Sequence, residues 1–219
     1  MRDLEITRSE VMGKIRPLDR SFFARSPRRV ARELLGKVLV RQDAQATLTA
    51  RIVEVEAYLG EKDPAAHSFA GMTARNSVLF GPPGYAYVYF IYGNHYCLNV
   101  SCETEGRAGG VLFRALEPLT GIKEMARARG LSAPHLLTSG PGRLSEAFGI
   151  TRARDNGRDL TLPGELWIGD DGFRVRTVLL TPRIGITKAA DLRLRYLVAG
   201  NQFVSGSKTF SRAKSAFRV

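Results

Sequence analysis

The sequence predicts an α+β fold: a single domain with a curved, mostly antiparallel β-sheet, surrounding helices and a protruding β-hairpin. Three observations predict it. Residues 51–59 alternate apolar and polar side chains over a β-branched run, the pattern of a half-buried strand. Residues 84–92 and 95–101 are dense in strand formers on either side of Gly93-Asn94, which is a hairpin signature. Short segments with helical spacing and good start and stop residues lie before and after them. The 219 residues, 44% of them hydrophobic, suit one globular domain over 1–219, with 1–17 and 208–219 peripheral.

In chain order, residues 1–14 are polar and mixed in charge and predict partial order at best. Phe22-Phe23 predicts an anchor to the core. The helix that follows is well punctuated: Ser26 suits the N-cap, Pro27 the first helical position and Gly36 the stop. Val30, Ala31, Leu34 and Leu35 form its buried stripe. Arg28, Arg29 and Arg32 point elsewhere, as a basic face that either lies near phosphates or is merely solvated. Residues 37–42 predict a strand and residues 47–58 its neighbour. Loops follow over 60–71 and 71–84, and then the hairpin. Residues 109–115 predict a buried strand ending in Arg114. An arginine in an apolar run needs a buried partner or a ligand, and Glu56 is the candidate. Residues 119–129 have helical spacing and a basic end that suits the helix dipole. Residues 139–144 open a short helix through Phe148. Its free amides and Arg143 are a candidate phosphate seat, beside the plainer reading of a loop-to-helix junction. Residues 151–172 predict polar loop with Gly and Asp turns. Strands are predicted at 173–181 and 184–187, alternating apolar and basic residues at 192–198, and a basic tail from Lys208.

The formal net charge is +12 and the pI about 10.2, so polyanions are the first partners to consider. The predominance of arginine over lysine favours bidentate phosphate contacts. The two cysteines, Cys97 and Cys102, have no metal spacing, and His67, His95 and His135 are scattered, so no zinc site is predicted. Nothing requires disulfides, which fits a reducing compartment. There is no apolar signal core and no run long enough to span a bilayer, which predicts a soluble, cytoplasmic chain without membrane partners.

The candidate site starts on the strand through residues 51–58. Ile52, Glu54, Glu56 and Tyr58 are expected to share one face, because strand side chains repeat every two residues. His67 follows a Gly- and Pro-containing loop able to fold back over them. A carboxylate with an arginine can hold and activate water. Several aromatic rings make a stacking slot for a flat, preferably cationic group. Tyr92 at the hairpin tip is placed to wedge between base steps. Together these parts suit hydrolysis of an N-glycosidic bond on a base extruded from a duplex.

Four stretches carry a resemblance. They are Val53-Glu54-Val55-Glu56-Ala57-Tyr58; Ala65-Ala66-His67-Ser68; Tyr87-Val88-Tyr89-Phe90-Ile91-Tyr92-Gly93 with Asn99; and Phe113-Arg114-Ala115-Leu116-Glu117-Pro118. With Ser139-Gly140-Pro141 and Gly200-Asn201-Gln202-Phe203-Val204-Ser205, the chain resembles the alkyladenine (3-methyladenine) DNA glycosylase family, in order from about Leu18 to Ser205. The resemblance implies that Glu56 is the general base that orients the attacking water. Arg114 and the main-chain carbonyl of Ile184 help hold that water. Tyr58, His67 and Tyr89 sandwich the flipped base, Asn99 crowds out the amino group of normal guanine, and Tyr92 fills the gap in the duplex. Arg75 and Arg143 are candidate backbone contacts. The resemblance further implies a monofunctional, monomeric enzyme of base excision repair that acts on double-stranded DNA with damaged purines. It needs no metal or cofactor, and a bacterial, nucleoid-associated setting is expected. The loop between His67 and Arg75 looks one residue shorter than in vertebrate members, and Asn94-His95-Tyr96 is more polar than usual at the hairpin tip. The competing reading is a non-catalytic lesion- or RNA-binding module on the same scaffold. A lyase would need an amine nucleophile, and Lys62 is the nearest lysine in sequence.

Overall fold

A computed structural model describes residues 13–206. The described strands form one curved, antiparallel, nine-stranded sheet with helices packed on it, so the fold is α+β. The strands are β1 (Arg16–Pro17), β2 (Val38–Gln42), β3 (Thr47–Tyr58), β4 (Ala86–Ile91), β5 (His95–Ser101), β6 (Gly110–Thr120), β7 (Leu166–Asp170), β8 (Val178–Thr181) and β9 (Arg195–Val198). Across the sheet the order is β1-β7-β2-β3-β6-β5-β4, with β9 joined to β3 and β8 to β9. The helices are α1 (Arg20–Phe23), α2 (Pro27–Leu34), α3 (Ile122–Arg129), α4 (Pro134–Leu137), α5 (Pro141–Ala147) and α6 (Arg152–Asp155).

β3 organises the sheet. Its first half pairs with β2, from Gln42 opposite Thr47 to Val38 opposite Arg51. Its second half pairs with β9, from Glu54 opposite Leu197 to Glu56 opposite Arg195. β6 runs along its other side, with register shifts on both sides of Glu54. Ile52 lies opposite Leu116, Glu54 opposite Ala115, and Val55 opposite Phe113, so Val53 and then Arg114 are extra residues in the ladder. Such bulges break the two-residue alternation and re-aim side chains. Ile52 is therefore packed in the main core with Val55 and Ala57, and does not share the face of Glu54, Glu56 and Tyr58 as uninterrupted alternation predicts.

Beyond the bulge, alternation divides the sheet cleanly. Val55, Ala57, Val88, Leu98, Val100, Val111 and Phe113 face the core, where Val30, Ala31 and Leu34 of α2 also pack. Burying a side chain such as Phe113 contributes about 1.5–3 kcal/mol. The intervening residues Tyr58, Tyr87, Tyr89, Cys97, Asn99, Leu112 and Arg114 line a cavity on the other face.

Several elements differ from their sequence-based expectation. α2 starts at Pro27 after Ser26 and gives way to Gly36 at φ +87°, but Ser26 makes no side-chain capping bond. β6 does not end at Arg114 but runs to Thr120, because the bulge accommodates the charge within the strand. Residues 151–172 contain α6 and β7, which were hidden by the polar composition around them. Residues 173–177 and 184–187 are not strand: Pro182 lacks an amide for the ladder, and Gly185 has φ +78°. The hairpin loop is the three-residue stretch Tyr92-Gly93-Asn94, with Ile91 opposite His95, so Tyr92 belongs to the turn rather than to β4. The basic tail from Lys208 lies outside the described residues. No helix among the described residues is long and apolar enough to cross a membrane.

Candidate active site

The bulge brings Glu54 and Glu56 to the same guanidinium. Arg114 Nε donates to Glu54 Oε1 at 3.0 Å, and its Nη1 lies 3.3 Å from Glu56 Oε1. Glu56 is wholly buried and accepts two further hydrogen bonds, from the Ile184 amide (2.8 Å) and the Tyr58 hydroxyl (3.0 Å). Burial pushes its pKa above the ordinary glutamate value, and Arg114 and the two hydrogen bonds only partly oppose that push. Glu56 is thus a desolvated carboxylate held at fixed geometry. The contact that Ile184 makes to it runs through its N–H.

The cavity over this carboxylate has a volume of about 410 Å³. The alternation of β4 places Tyr87 and Tyr89 side by side, with ring centroids 5.6 Å apart. His67 meets Tyr89 edge-on at 4.5 Å, and its Nδ1 lies 3.0 Å from the Tyr87 hydroxyl. Burial first, and the nearby Arg75 charge second, lower the His67 pKa and so favour the neutral ring. Asn99 is 6% exposed, and its Nδ2 donates to the Tyr87 carbonyl at 3.2 Å. Tyr92 stands at the cavity mouth, 79% exposed, with φ +54°. Strand parity alone puts Tyr89 and Tyr92 on opposite faces; the left-handed turn lets both reach the cavity. Arg75 lies 5.9 Å over the Tyr89 ring, and Arg143 lines the rim from the start of α5. That start approaches β5 closely: a Cβ on Gly142 would come within 2.8 Å of the His95 ring, so only glycine fits there.

Glu56, Arg114, Ile184, Tyr58, His67, Tyr89, Asn99 and Tyr92 therefore meet at one place, although they come from five separate stretches of chain. The supporting residues were not singled out from the sequence. Glu54 is fully buried and bonds Arg114 Nε, Arg195 Nη1 (3.0 Å), and both the amide (2.5 Å) and hydroxyl (2.9 Å) of Ser205. Asp63 forks Arg183 at 2.5 and 2.9 Å, and the same guanidinium sits 4.6 Å over the Tyr58 ring. Asn76 ties the carbonyls of His67 (2.9 Å) and Gly71 (3.1 Å) together, which shapes the loop that carries His67. A buried-polar signal did exist: Arg195 and Arg183 lie in apolar surroundings, and such charges need partners. Their partners are more than a hundred residues away, so spacing in the sequence does not reveal them.

The methylpurine-DNA glycosylase family profile matches residues 21–202. A protein of Koribacter versatilis, provisionally named a 3-methyladenine DNA glycosylase, is 63% identical over 200 residues, covering 90% of this chain and 97% of its own. A Rhodopseudomonas palustris protein of the same provisional name is 50% identical over 192 residues, covering 86% of this chain and 90% of its own. One from Methanoculleus marisnigri is 47% identical over 192 residues, covering 86% and 98%. The match spans the whole cavity and most of the sheet, and the chain belongs to the methylpurine-DNA glycosylase family.

Proposed function

We propose that the chain is a monofunctional 3-methyladenine-type DNA glycosylase. It takes an alkylated or deaminated purine out of duplex DNA into the aromatic cavity and hydrolyses its N-glycosidic bond with water. The observation that carries this reading is the buried Glu56 carboxylate, fixed by three residues that line the cavity: Arg114, Ile184 through its amide and Tyr58 through its hydroxyl. A pure binding module gains nothing from a desolvated anion beside the scissile bond.

In this reading Glu56 orients a water molecule and accepts its proton as the water oxygen bonds to C1′. The C1′–N bond breaks, and its electrons leave with the purine. The carboxylate also stabilises the oxocarbenium-like character that develops at the sugar. Arg114 keeps the carboxylate aimed, with the Ile184 main chain as a further hold on the water. Tyr58, His67 and Tyr89 stack on the extruded base, and a cationic alkylpurine gains most from such rings. Asn99 narrows the cavity against the amino group of normal guanine. Tyr92 fills the space the base leaves in the duplex, and Arg75 and Arg143 contact the flanking phosphates. Among the described residues that line the cavity there is no lysine, which supports water rather than an amine as nucleophile.

The test is base release from short duplexes, each with one defined lesion, measured for the wild type and Glu56→Gln, with strand nicking checked before alkali. Release by the wild type alone, without nicking, is expected. Tight lesion binding with no release by either protein would leave a binding module, and nicking would point to a lyase.

A further inference from the structure

The arginines of α2 are not used by the site described above. Val30, Ala31 and Leu34 fix α2 on the core side of the sheet, the side to which Val55 and Ala57 point and from which Glu56 and Tyr58 point away. On that side, α2 and residues 173–178 flank a groove of about 1300 Å³. Arg28 and Arg32, one helical turn apart, line one wall, Arg176 lines the other, and all three are exposed. Arg28 also sits against the hydroxyl of Tyr196, which lines the groove.

Charge neutralisation in the groove is uneven. Glu33 is taken by Arg25 and Arg29, and Asp170 by Lys37 and Arg174. No carboxylate among the described residues pairs with Arg28, Arg32 or Arg176. Three guanidiniums along one groove, none with a carboxylate partner among the described residues, match a run of phosphates, because each neutralised phosphate releases counterions. A duplex whose base occupies the cavity lies on the opposite face of the sheet, so that duplex does not supply those phosphates.

We propose that this groove binds the backbone of a second DNA segment, and so lets the protein hold two segments at once and pass between them. The proposal rests on the glycosylase reading only for the first segment. Contact with the second is to phosphate and carries no base preference.

The experiment mixes two short duplexes, one with a donor dye and a lesion, the other undamaged with an acceptor dye, and reads energy transfer as protein is added. Wild type is expected to bridge them. R28A/R32A/R176A should lose bridging tenfold or more, with its thermal midpoint unchanged and its base release from a single short lesion duplex within twofold of wild type. R28K/R32K/R176K should retain bridging. The slope of log bridging affinity against log salt should fall by about 2–3 in the alanine variant. The proposal is overturned if wild type binds one duplex per chain without bridging, as it would if the groove took an acidic protein. Unchanged bridging by the alanine variant would overturn it too, as in bridging by a dimer through the cavity faces. Loss of base release by the wild type would strike the glycosylase reading alone.

Discussion

Glu56 has a cost and a use that come from the same burial. With its pKa raised by desolvation, the carboxylate becomes a better proton acceptor when ionised but is protonated at a higher pH. Only the ionised form is a base, so single-turnover release of a cationic lesion should fall as pH drops through that raised value, above where an ordinary glutamate would titrate. Glu56→Gln should lower release by about 10²–10⁴-fold, the usual share of a general base, while lesion binding persists. Retained turnover would remove Glu56 from the chemistry. Glu54 supplies a sharper test. It competes for Arg114, and its own charge adds to the rise at Glu56. In Glu54→Gln both effects go, so the acid limb of the pH–rate profile should move to lower pH. The same change leaves Arg114 and Arg195 without their shared anion and should cost about 3–5 kcal/mol of stability, read by denaturant unfolding. A purely structural Glu54 would change the second measurement and leave the first in place.

Elements set how far apart these residues work. The β4–β5 hairpin holds Tyr87 and Tyr89 within the sheet and sends Tyr92 out of it through a left-handed turn residue. A non-glycine residue there costs roughly 1–2 kcal/mol of backbone strain, which is tolerated here in exchange for an exposed ring at the tip. Tyr92→Ala should weaken lesion-duplex affinity by about 1–3 kcal/mol, the worth of one stacking contact. Tyr92→Gly should lose the same affinity while its thermal midpoint holds or rises, because glycine relieves the turn; affinity equal to wild type would make the ring a bystander. Packed against β4, α6 is only four residues long, and its buried Asp155 is held by Arg41 and approached by Arg158 at 3.5 Å. Arg41 forks Asp155 at 2.8 and 2.9 Å and also donates to the Phe148 carbonyl at 3.0 Å. Asp155→Ala strands that arginine and should destabilise the chain by about 3–5 kcal/mol in chemical denaturation. A loss under 1 kcal/mol would show that water reaches Arg41.

At the scale of the molecule the sheet divides two kinds of work. One face carries the cavity, and the other carries the core, α2 and the basic groove. A net charge of +12 makes association with DNA strongly salt-dependent. If the lesion complex neutralises on the order of 6–10 phosphates, its affinity should drop about 10³–10⁵-fold between 50 and 200 mM salt. Fluorescence anisotropy across that range checks this, and a flat response would show that apolar insertion, not charge, dominates binding.

Local pattern was enough for much of this protein. The alternation in β3 beyond its bulge, the start of α2 at Pro27, the two arms of the hairpin and the pairing of Arg114 with Glu56 were legible from the sequence, because each depends on neighbours in the chain or on the cost of a lone buried charge. The motif residues named from the resemblance do converge on one cavity. Other features were decided by distant contacts. The bulge at Val53 and Arg114 moves Ile52 into the core, since the register of β3 is shared between β6 on one side and β2 and β9 on the other. Glu54, Asp63 and Asn76 emerge as supports only when Arg195, Arg183 and the His67 loop are folded against them. β7 is not legible in the sequence because Leu166-Trp167-Ile168 is a short apolar run within polar turns, and its pairing with β2 and β1 makes it a strand. Periodicity records which side of an element is wet, and so the sequence by itself determined β3, α2, the hairpin arms and the chemistry available to them, but not α6, β7 or the limits of β8. Which charges meet is a matter of three-dimensional proximity across more than a hundred residues, and only the tertiary structure decided it.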